Sequence, residues 1–245
     1  MAGTPVVLDM LRAVASALAA ETGRAALDIV DAGGGTGGFA VPLASLGHSV
    51  TVVDPSPNSL AGAQRRAAEQ NVPLRAVQGD ASDLAVVMGE KSADLVLCHS
   101  VLEYVDSPAA ALAAIAAVLR PGGAVSVLTA SAVGAVIHRA LAGRFDEARR
   151  LLAGIGAPGG QAADGAAVAG GPRRFTLAGV TGLIEEAGLR PGAALGVRVF
   201  ADLVPRVVAD ADPGAGQALQ ALELAVAAHP AFHDFAAQFH VLGYR

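Results

Sequence analysis

The segment Asp28–Ala40 constrains the fold more than any other part of the chain. A short apolar run closes on Asp31, five glycines follow within six residues, and a helix-like pattern begins after them. Glycine has no Cβ, so Gly33, Gly35 and Gly37 let the backbone turn tightly and approach a ligand where any side chain would collide. A strand, a glycine turn and a helix in that order form the entry to a nucleotide-type cofactor site, at the first crossover of a doubly wound sheet.

The rest of the chain carries this architecture on. Residues 5–20 show helical periodicity that ends near Gly23. Strand 1 is expected over Ala26–Asp31, with a helix running from the glycine loop through Leu46. Strand 2 is the β-branched run Ser49–Asp54, and Pro55-Ser56-Pro57 caps a helix from about Asn58 to Glu69. Strand 3 covers Leu74–Val77, strand 4 Asp94–Cys98 and strand 5 Ala124–Thr129. A helix over Ala109–Leu119 stops at Arg120-Pro121-Gly122-Gly123, a strong breaker. Strands alternating with helices imply a parallel sheet with right-handed crossovers. Residues 131–153 are then read as helical, Gly154–Gly171 as a mobile loop or lid, and Thr176–Ala187 as a helix with a threonine N-cap. A sixth strand is placed near Val197–Phe200, a helix over Gly214–Ala228, and an edge strand around Phe239–Leu242.

Composition narrows the class. With 53% apolar and 16% charged residues in 245, the chain can bury a large core. A net charge of −5 gives no overall basic footprint of the kind nucleic-acid binders show. A single cysteine, Cys98, excludes an internal disulfide framework and fits a reducing compartment. The N-terminus lacks a signal-peptide pattern, and no run of about 18 residues is apolar enough to span a bilayer. A cytoplasmic protein with no membrane partner is expected.

The glycine loop admits two cofactors. Gly33-x-Gly35-x-x-Gly38 satisfies the dinucleotide fingerprint, and Asp54 sits where a ribose ligand is expected, which suits an NAD(P)-dependent oxidoreductase. The same residues satisfy Asp31-x-Gly33-x-Gly35-x-Gly37, which resembles the loop of the class I S-adenosylmethionine (SAM) methyltransferases. Three features favour the second reading. Asp31 would repel a pyrophosphate at close range but suits a cofactor carrying an ammonium and a sulfonium. Gly79-Asp80-Ala81-Ser82-Asp83 resembles the methyltransferase segment whose aspartate takes the adenine amino group and whose next backbone N–H meets the ring. Leu119-Arg120-Pro121-Gly122-Gly123 is similar to the signature before strand 5 of that family.

A narrower likeness lies in Cys98-His99-Ser100-Val101-Leu102-Glu103-Tyr104-Val105. This resembles the segment after strand 4 in the bacterial tRNA wobble-uridine methyltransferases, which esterify 5-carboxymethoxyuridine. The likeness continues in Asp28–Gly35, in Ile137-His138, in Gly143-Arg144-Phe145-Asp146, in Gly196–Asp202, in Leu222-Glu223-Leu224 and in Phe239-His240-Val241. It implies an α/β fold with a doubly wound, seven-stranded, mostly parallel sheet whose last strand is antiparallel, and helical additions after strand 5. It also implies one domain over residues 1–245, with a cofactor-binding core at 5–130, acceptor-covering helices and a loop at 131–175, and the end of the sheet at 176–245. Residues 1–25 hold no match to that family's N-terminal arm with its Tyr-Gly-Thr-type lid. Ala201 stands where the family has a histidine, and Leu203-Val204-Pro205 replace basic residues. With the acidic charge, these departures favour a small-molecule or modified-nucleotide acceptor, methylated at oxygen or nitrogen; wobble-uridine ester formation on tRNA is the alternative.

Roles follow from the chemistry. SAM carries an electrophilic methyl group and leaves S-adenosylhomocysteine (SAH), so the protein mainly holds an acceptor atom in line and needs no metal. The expected cofactor residues are Asp31, Gly33, Gly34, Gly35, Thr36, Gly37, Asp54, Pro55, Ser56, Asp80, Ala81 and His99. Asp54 should accept both ribose hydroxyls, and Asp31 should orient the loop or the methionine ammonium. His99 and Arg198 are the candidate catalytic residues. His99 would line the methionine end, position the acceptor, or act as a base of near-neutral pKa; the plainer reading is a hydrogen-bonded structural histidine. Arg198 would grip an acceptor carboxylate by a forked pair of bonds, or make a structural ion pair. Arg149-Arg150 and Arg173-Arg174 would gather phosphates or form a solvated basic edge. Cys98 reads as a buried strand residue, and His229, His233 and His240 have no metal-ligand spacing.

Overall fold

A computed structural model of the chain describes residues 3–155, 166–167, 171–205, 207 and 214–245. Helix α1 (Gly3–Thr22) precedes strand β1 (Asp28–Ala32). It buries Val7, Leu11, Val14 and Leu18, the three- and four-residue spacing of one helix face. After it come α2 (Ala40–Ala44), β2 (Ser49–Asp54), α3 (Pro57–Glu69), β3 (Arg75–Gln78), α4 (Leu84–Met88), β4 (Ala93–His99), α5 (Pro108–Val118) and β5 (Leu119–Ala130). The remaining elements are α6 (Ala132–Leu141), α7 (Phe145–Gly154), β6 (Ala166–Ala167), β7 (Arg173–Arg174), α8 (Leu177–Glu186), β8 (Arg190–Val197), α9 (Ala215–Ala227), α10 (Pro230–His233) and β9 (Gln238–Tyr244).

Seven strands form one sheet in the order β3-β2-β1-β4-β5-β9-β8. β1 runs parallel to β2 and β4, and β2 parallel to β3. β9 runs antiparallel to β5: Gly122 N–H donates to the Arg245 carbonyl, whereas Ser131 N–H donates to that of Ala237, so partner numbers fall as residue numbers rise. The register sets Ala32 beside Val53 and Cys98, so β1, β2 and β4 end in one row. The strand order reverses between β1 and β4, the switch point where open α/β sheets take ligands.

Packing groups the residues into two compact units: Met10–Val127, Leu183–Gly192 and Leu242–Arg245 in one, and Met1–Asp9, Leu128–Gly182 and Ala193–Val241 in the other. The first holds β1–β4. Its starting edge is tied by Asp94, 2% exposed, which accepts from Asp28 N–H at 2.8 Å and from the Arg120 guanidinium at 2.9 Å. Ser56 and Ser107 cap α3 and α5, each followed by a proline in the first helical turn, where a missing N–H costs nothing. In the second unit α6 packs on α7. A Cβ at Gly134 of α6 would lie 2.2 Å from the Ala236 carbonyl oxygen, so only glycine permits this approach. Val199, Val226 and Ala236 form a buried cluster covered by Phe200 and Phe232.

Five expectations are corrected. The sixth strand is Arg190–Val197, and the backbone leaves the ladder at Arg198, whose φ is +59°. The last strand lies between β5 and β8, not at an edge, and its centre is buried. Residues 131–153 form two helices broken at Gly143, which has φ +73°. The helix after the glycine loop shrinks to Ala40–Ala44, because Gly34–Phe39 form turns. β5 also starts earlier than expected, at Leu119. Of the expected loop at 154–171, residues 156–165 and 168–170 lie outside the described residues, and Ala166–Ala167 pairs antiparallel with Arg173–Arg174. The Thr176 cap of α8 holds: its Oγ1 accepts from Gly179 N–H at 3.0 Å.

Candidate functional site

The ends of β1, β2 and β4 and the turn after β3 enclose a cleft of about 310 Å³ in the first unit. Gly33, Asp54, Pro55, Asp80 and Ala81 line it, together with Ser100, Val101, Tyr104 and Val105. The sequence pattern therefore brings five expected cofactor residues to one place. It missed the wall from Ser100 to Val105. The signal lay in the segment Cys98–Val105, and a sheet ending at His99 must send the next residues across the switch point.

Asp54 anchors the site. It is 8% exposed, and both its oxygens accept backbone N–H groups: Oδ2 from Gly35 at 2.9 Å and Oδ1 from Ser56 at 2.9 Å. One carboxylate thus fixes the glycine loop against the start of α3. Each oxygen keeps a second acceptor position for a hydroxyl. Gly33 N–H donates to the Val53 carbonyl at 2.7 Å, which locks the loop onto β2. Gly33 has φ +69°, and a Cβ there would meet Val101 Cγ2 at 2.4 Å. A Cβ on Gly35, at φ +54°, would meet nothing within 4 Å, so this backbone is open to an incoming group. Asp80 accepts Ser82 N–H at 2.8 Å and opens a short 3-10 turn, with Ala81 buried behind it. Ser56 accepts Ser59 N–H as the cap of α3, Thr36 packs its methyl against Gly62, and Gly37 lies against Ala63 and Val41. These three hold the loop's shape.

Asp31 sits beneath the loop, 2% exposed, where a Cβ on Gly34 would come within 2.6 Å of its carboxylate. Burial and the neighbouring Asp54 charge push its pKa up from 3.8 to about 7, against the pull of the Ala40 backbone hydrogen bond. A group whose pKa is raised on folding contributes stability below its unfolded pKa and loses it as pH rises through the folded value. Asp31 therefore weakens the ligand-free fold as pH climbs from about 4 through about 7. A cation beside it would reverse that penalty.

His99 departs from the near-neutral base that the sequence suggests. Its Nε2 shares a 2.7 Å hydrogen bond with Ser126 Oγ, and Phe39 meets its ring edge-on at 4.8 Å. Burial pushes its pKa down to about 3, so the ring is neutral across the physiological range. Cys98 is buried and its thiol pKa is raised by burial, which leaves it inert. Arg198 makes a forked ion pair with Asp202, through Nε at 3.0 Å and through the second guanidinium nitrogen. It lines a cleft of about 240 Å³ in the second unit, together with His138, Arg139, Arg174 and Asp202. Arg149 lies 3.7 Å from Asp146 with both side chains largely in solvent, which fits the solvated-edge reading. Among the described residues no group of His, Cys, Asp and Glu is placed to hold a metal ion, and no helix is long and apolar enough to cross a membrane.

Residues 30–127 match the family model described as a methyltransferase domain. That match favours the methyltransferase reading of the glycine loop, and the nicotinamide oxidoreductase reading is not supported. The matched span covers β1 to β5, and so every residue of the 310 Å³ cleft. Over 129 residues the chain is 37% identical to the tRNA 5-carboxymethoxyuridine methyltransferase of Escherichia coli strain K12, covering 52% of this chain and 49% of that one. Over 99 residues it is 43% identical to the ubiquinone biosynthesis O-methyltransferase of Methylobacterium nodulans, covering 40% and 39%. The chain thus spans about half or less of the length of these curated relatives. Among solved structures it resembles the magnesium protoporphyrin IX methyltransferase of Synechocystis PCC 6803 with bound SAH. That likeness has a TM-score of 0.59 at 16% identity and covers 97% of this chain and 83% of that one. That likeness shows the fold, a Rossmann-like α/β fold.

Proposed function

We propose that the chain is a SAM-dependent methyltransferase of the cytoplasm, acting on an oxygen or nitrogen nucleophile of a small molecule or modified nucleotide. One observation carries this reading. Two carboxylates, Asp54 and Asp80, and the open backbone of the glycine loop converge on one cleft within the span that matches the methyltransferase family model. The cleft fits the cofactor: about 310 Å³ lies within the range of small-ligand sites, and its polar groups are few and placed at the strand ends. SAM, when bound, supplies a methyl group on a sulfonium. The protein does the rest by placement. Asp54 accepts the ribose hydroxyls, Asp80 and Ala81 N–H receive the adenine, and Pro55 covers it. Gly33–Gly37, Thr36 and Ser56 shape the loop, and Asp31 faces the methionine ammonium. Neutral His99 positions groups by its hydrogen bond with Ser126 and does not act as a charged acid. Arg198 anchors the acceptor.

A second reading, ester formation on a tRNA wobble uridine, is favoured by the 37% identity to the E. coli enzyme. Strong binding of tRNA that weakens steeply with added salt would support it.

Calorimetric titration with SAM and SAH tests the first reading. Asp31 is about half protonated near pH 7 in the free protein, and an ammonium beside it lowers its pKa. Binding at pH 7 should therefore release up to about half a proton, seen by repeating the titration in buffers of different ionisation enthalpy. Affinity should rise from pH 6 to pH 8 and then level off. A proton balance of zero would show that Asp31 does not meet the ammonium, and no binding of SAM or SAH would overturn the cofactor reading.

A further inference from the structure

A second cleft opens at the other end of the strands that carry the first. It encloses about 450 Å³ within the first unit, where β2 and β3 begin. Val50 of β2 lines it, whereas Asp54 of the same strand lines the 310 Å³ cleft. The two clefts share no lining residue. At a rise of about 3.3 Å per residue they lie on the order of 15 Å apart along β2.

The floor of this cleft is fixed by hydrogen bonds. Both backbone groups of Leu27, a fully buried residue, are tied to the turn before β2. Leu27 N–H donates to His48 Nδ1 at 3.3 Å, and Ser49 N–H donates to the Leu27 carbonyl at 2.9 Å. Gly47, at φ +92°, bends the chain into that turn. A backbone N–H only donates, so Nδ1 is the unprotonated nitrogen of the ring. Burial pushes the pKa of His48 down, so the ring is neutral at pH 7 and carries its proton on Nε2. His48 lines the cleft and brings one N–H donor to it.

The remaining walls are selective. Ala26, Val50, Pro73 and Leu74 are apolar, Arg75 is the charged residue, and no carboxylate belongs to the lining. Nearby, Arg24 and Arg120 are both engaged by Asp28 and Asp94. Arg75 opens the edge strand β3 and makes no ion pair among the described residues. A guanidinium fork matches a planar carboxylate. Apolar walls with a few fixed polar groups, at this volume, are the make-up of a small-ligand site.

We propose that this cleft is a second small-molecule site, taking a monocarboxylate with a compact apolar body. Arg75 and His48 receive the carboxylate, and Val50, Pro73 and Leu74 cover the body. The site stands apart from the methyltransferase reading and does not rest on it.

The test is titration with benzoate, following the backbone amide resonances of Gly47–Val50, Leu74 and Arg75 by NMR. Acetate, inorganic phosphate and benzamide are titrated alongside. Saturable shifts at these amides are expected with benzoate. Acetate lacks the body, phosphate lacks both the body and the planar group, and benzamide lacks the charge, so each should bind at least about tenfold more weakly. Arg75→Gln should weaken benzoate about tenfold, and Arg75→Lys, which keeps the charge without the fork, should lie between it and the wild type. Arg75 is exposed at the start of an edge strand, and thermal unfolding checks that both variants fold. Four results would each overturn the site: no saturable shift with benzoate, phosphate or acetate binding as tightly as benzoate, benzamide binding as tightly, or unchanged affinity in folded Arg75→Gln. Benzoate shifts confined to Gly33–Gly35 would place the ligand in the 310 Å³ cleft and overturn it as well.

Discussion

Asp54→Ala should lower the affinity for SAH by about 100-fold or more. Two charge-assisted hydrogen bonds to ribose hydroxyls would be lost, each worth about 1.5–3 kcal/mol. The same substitution also strips the glycine loop of its anchor, because Gly35 N–H and Ser56 N–H both end on this carboxylate. Affinity should therefore fall further than the ribose contacts alone would give. Asp54→Asn divides the two effects. Its amide keeps one oxygen and turns the other position into a donor, so one loop bond survives and the other faces a second N–H. Calorimetry should place Asp54→Asn between the wild type and the alanine variant. Wild-type affinity in a folded Asp54→Ala protein would remove Asp54 from the site.

Glu223→Ala should be the most damaging single change to stability. Three N–H groups at 2.7–2.9 Å lose their acceptor, and Val199 beside them is fully buried. At about 1–3 kcal/mol for each unsatisfied donor, the loss is on the order of 4 kcal/mol. That is a large part of what holds a domain of ordinary stability together. Glu223→Gln should be milder. An amide oxygen in the Oε1 position still accepts from Phe200 and Ala201, and only the Val199 bond is replaced by opposed donors. Urea unfolding of the three proteins checks the order wild type, Gln, Ala; equal midpoints for wild type and Ala would contradict it.

Much of this fold is legible in the chain, because its first half is governed by local rules. β2 is a β-branched run between a glycine turn and an acid, and the observed Ser49–Asp54 matches the expected strand. Ser56 and Thr176 cap the helices that their positions announce. Asp54 and Asp80 each close a strand or follow one, and a parallel sheet brings such ends together without further instruction.

The second half is set by distant partners. Val197-Arg198-Val199-Phe200 has the composition of a strand, yet the N–H groups of 199–201 go to Glu223 instead of a ladder. No pattern near residue 198 announces that acid. Pro191-Gly192 has the composition of a turn, but both lie inside β8, an edge strand, the place in a sheet where proline is tolerated. The run Phe239–Leu242 carries no mark of its neighbours; the place of β9 between two strands follows from topology. His99 looks titratable by residue type, and only its burial against Phe39 and Ser126 makes it neutral.

Tyr104 stands at the rim of the 310 Å³ cleft with 73% of its surface in water. The chain has no tryptophan and only one other tyrosine, Tyr244, whose ring faces the Arg190 guanidinium at 5.0 Å. Its ultraviolet emission therefore comes from two phenols, and one of them borders the site. Occupancy can be followed by light alone, on unlabelled protein, with Tyr104→Phe as the dark control.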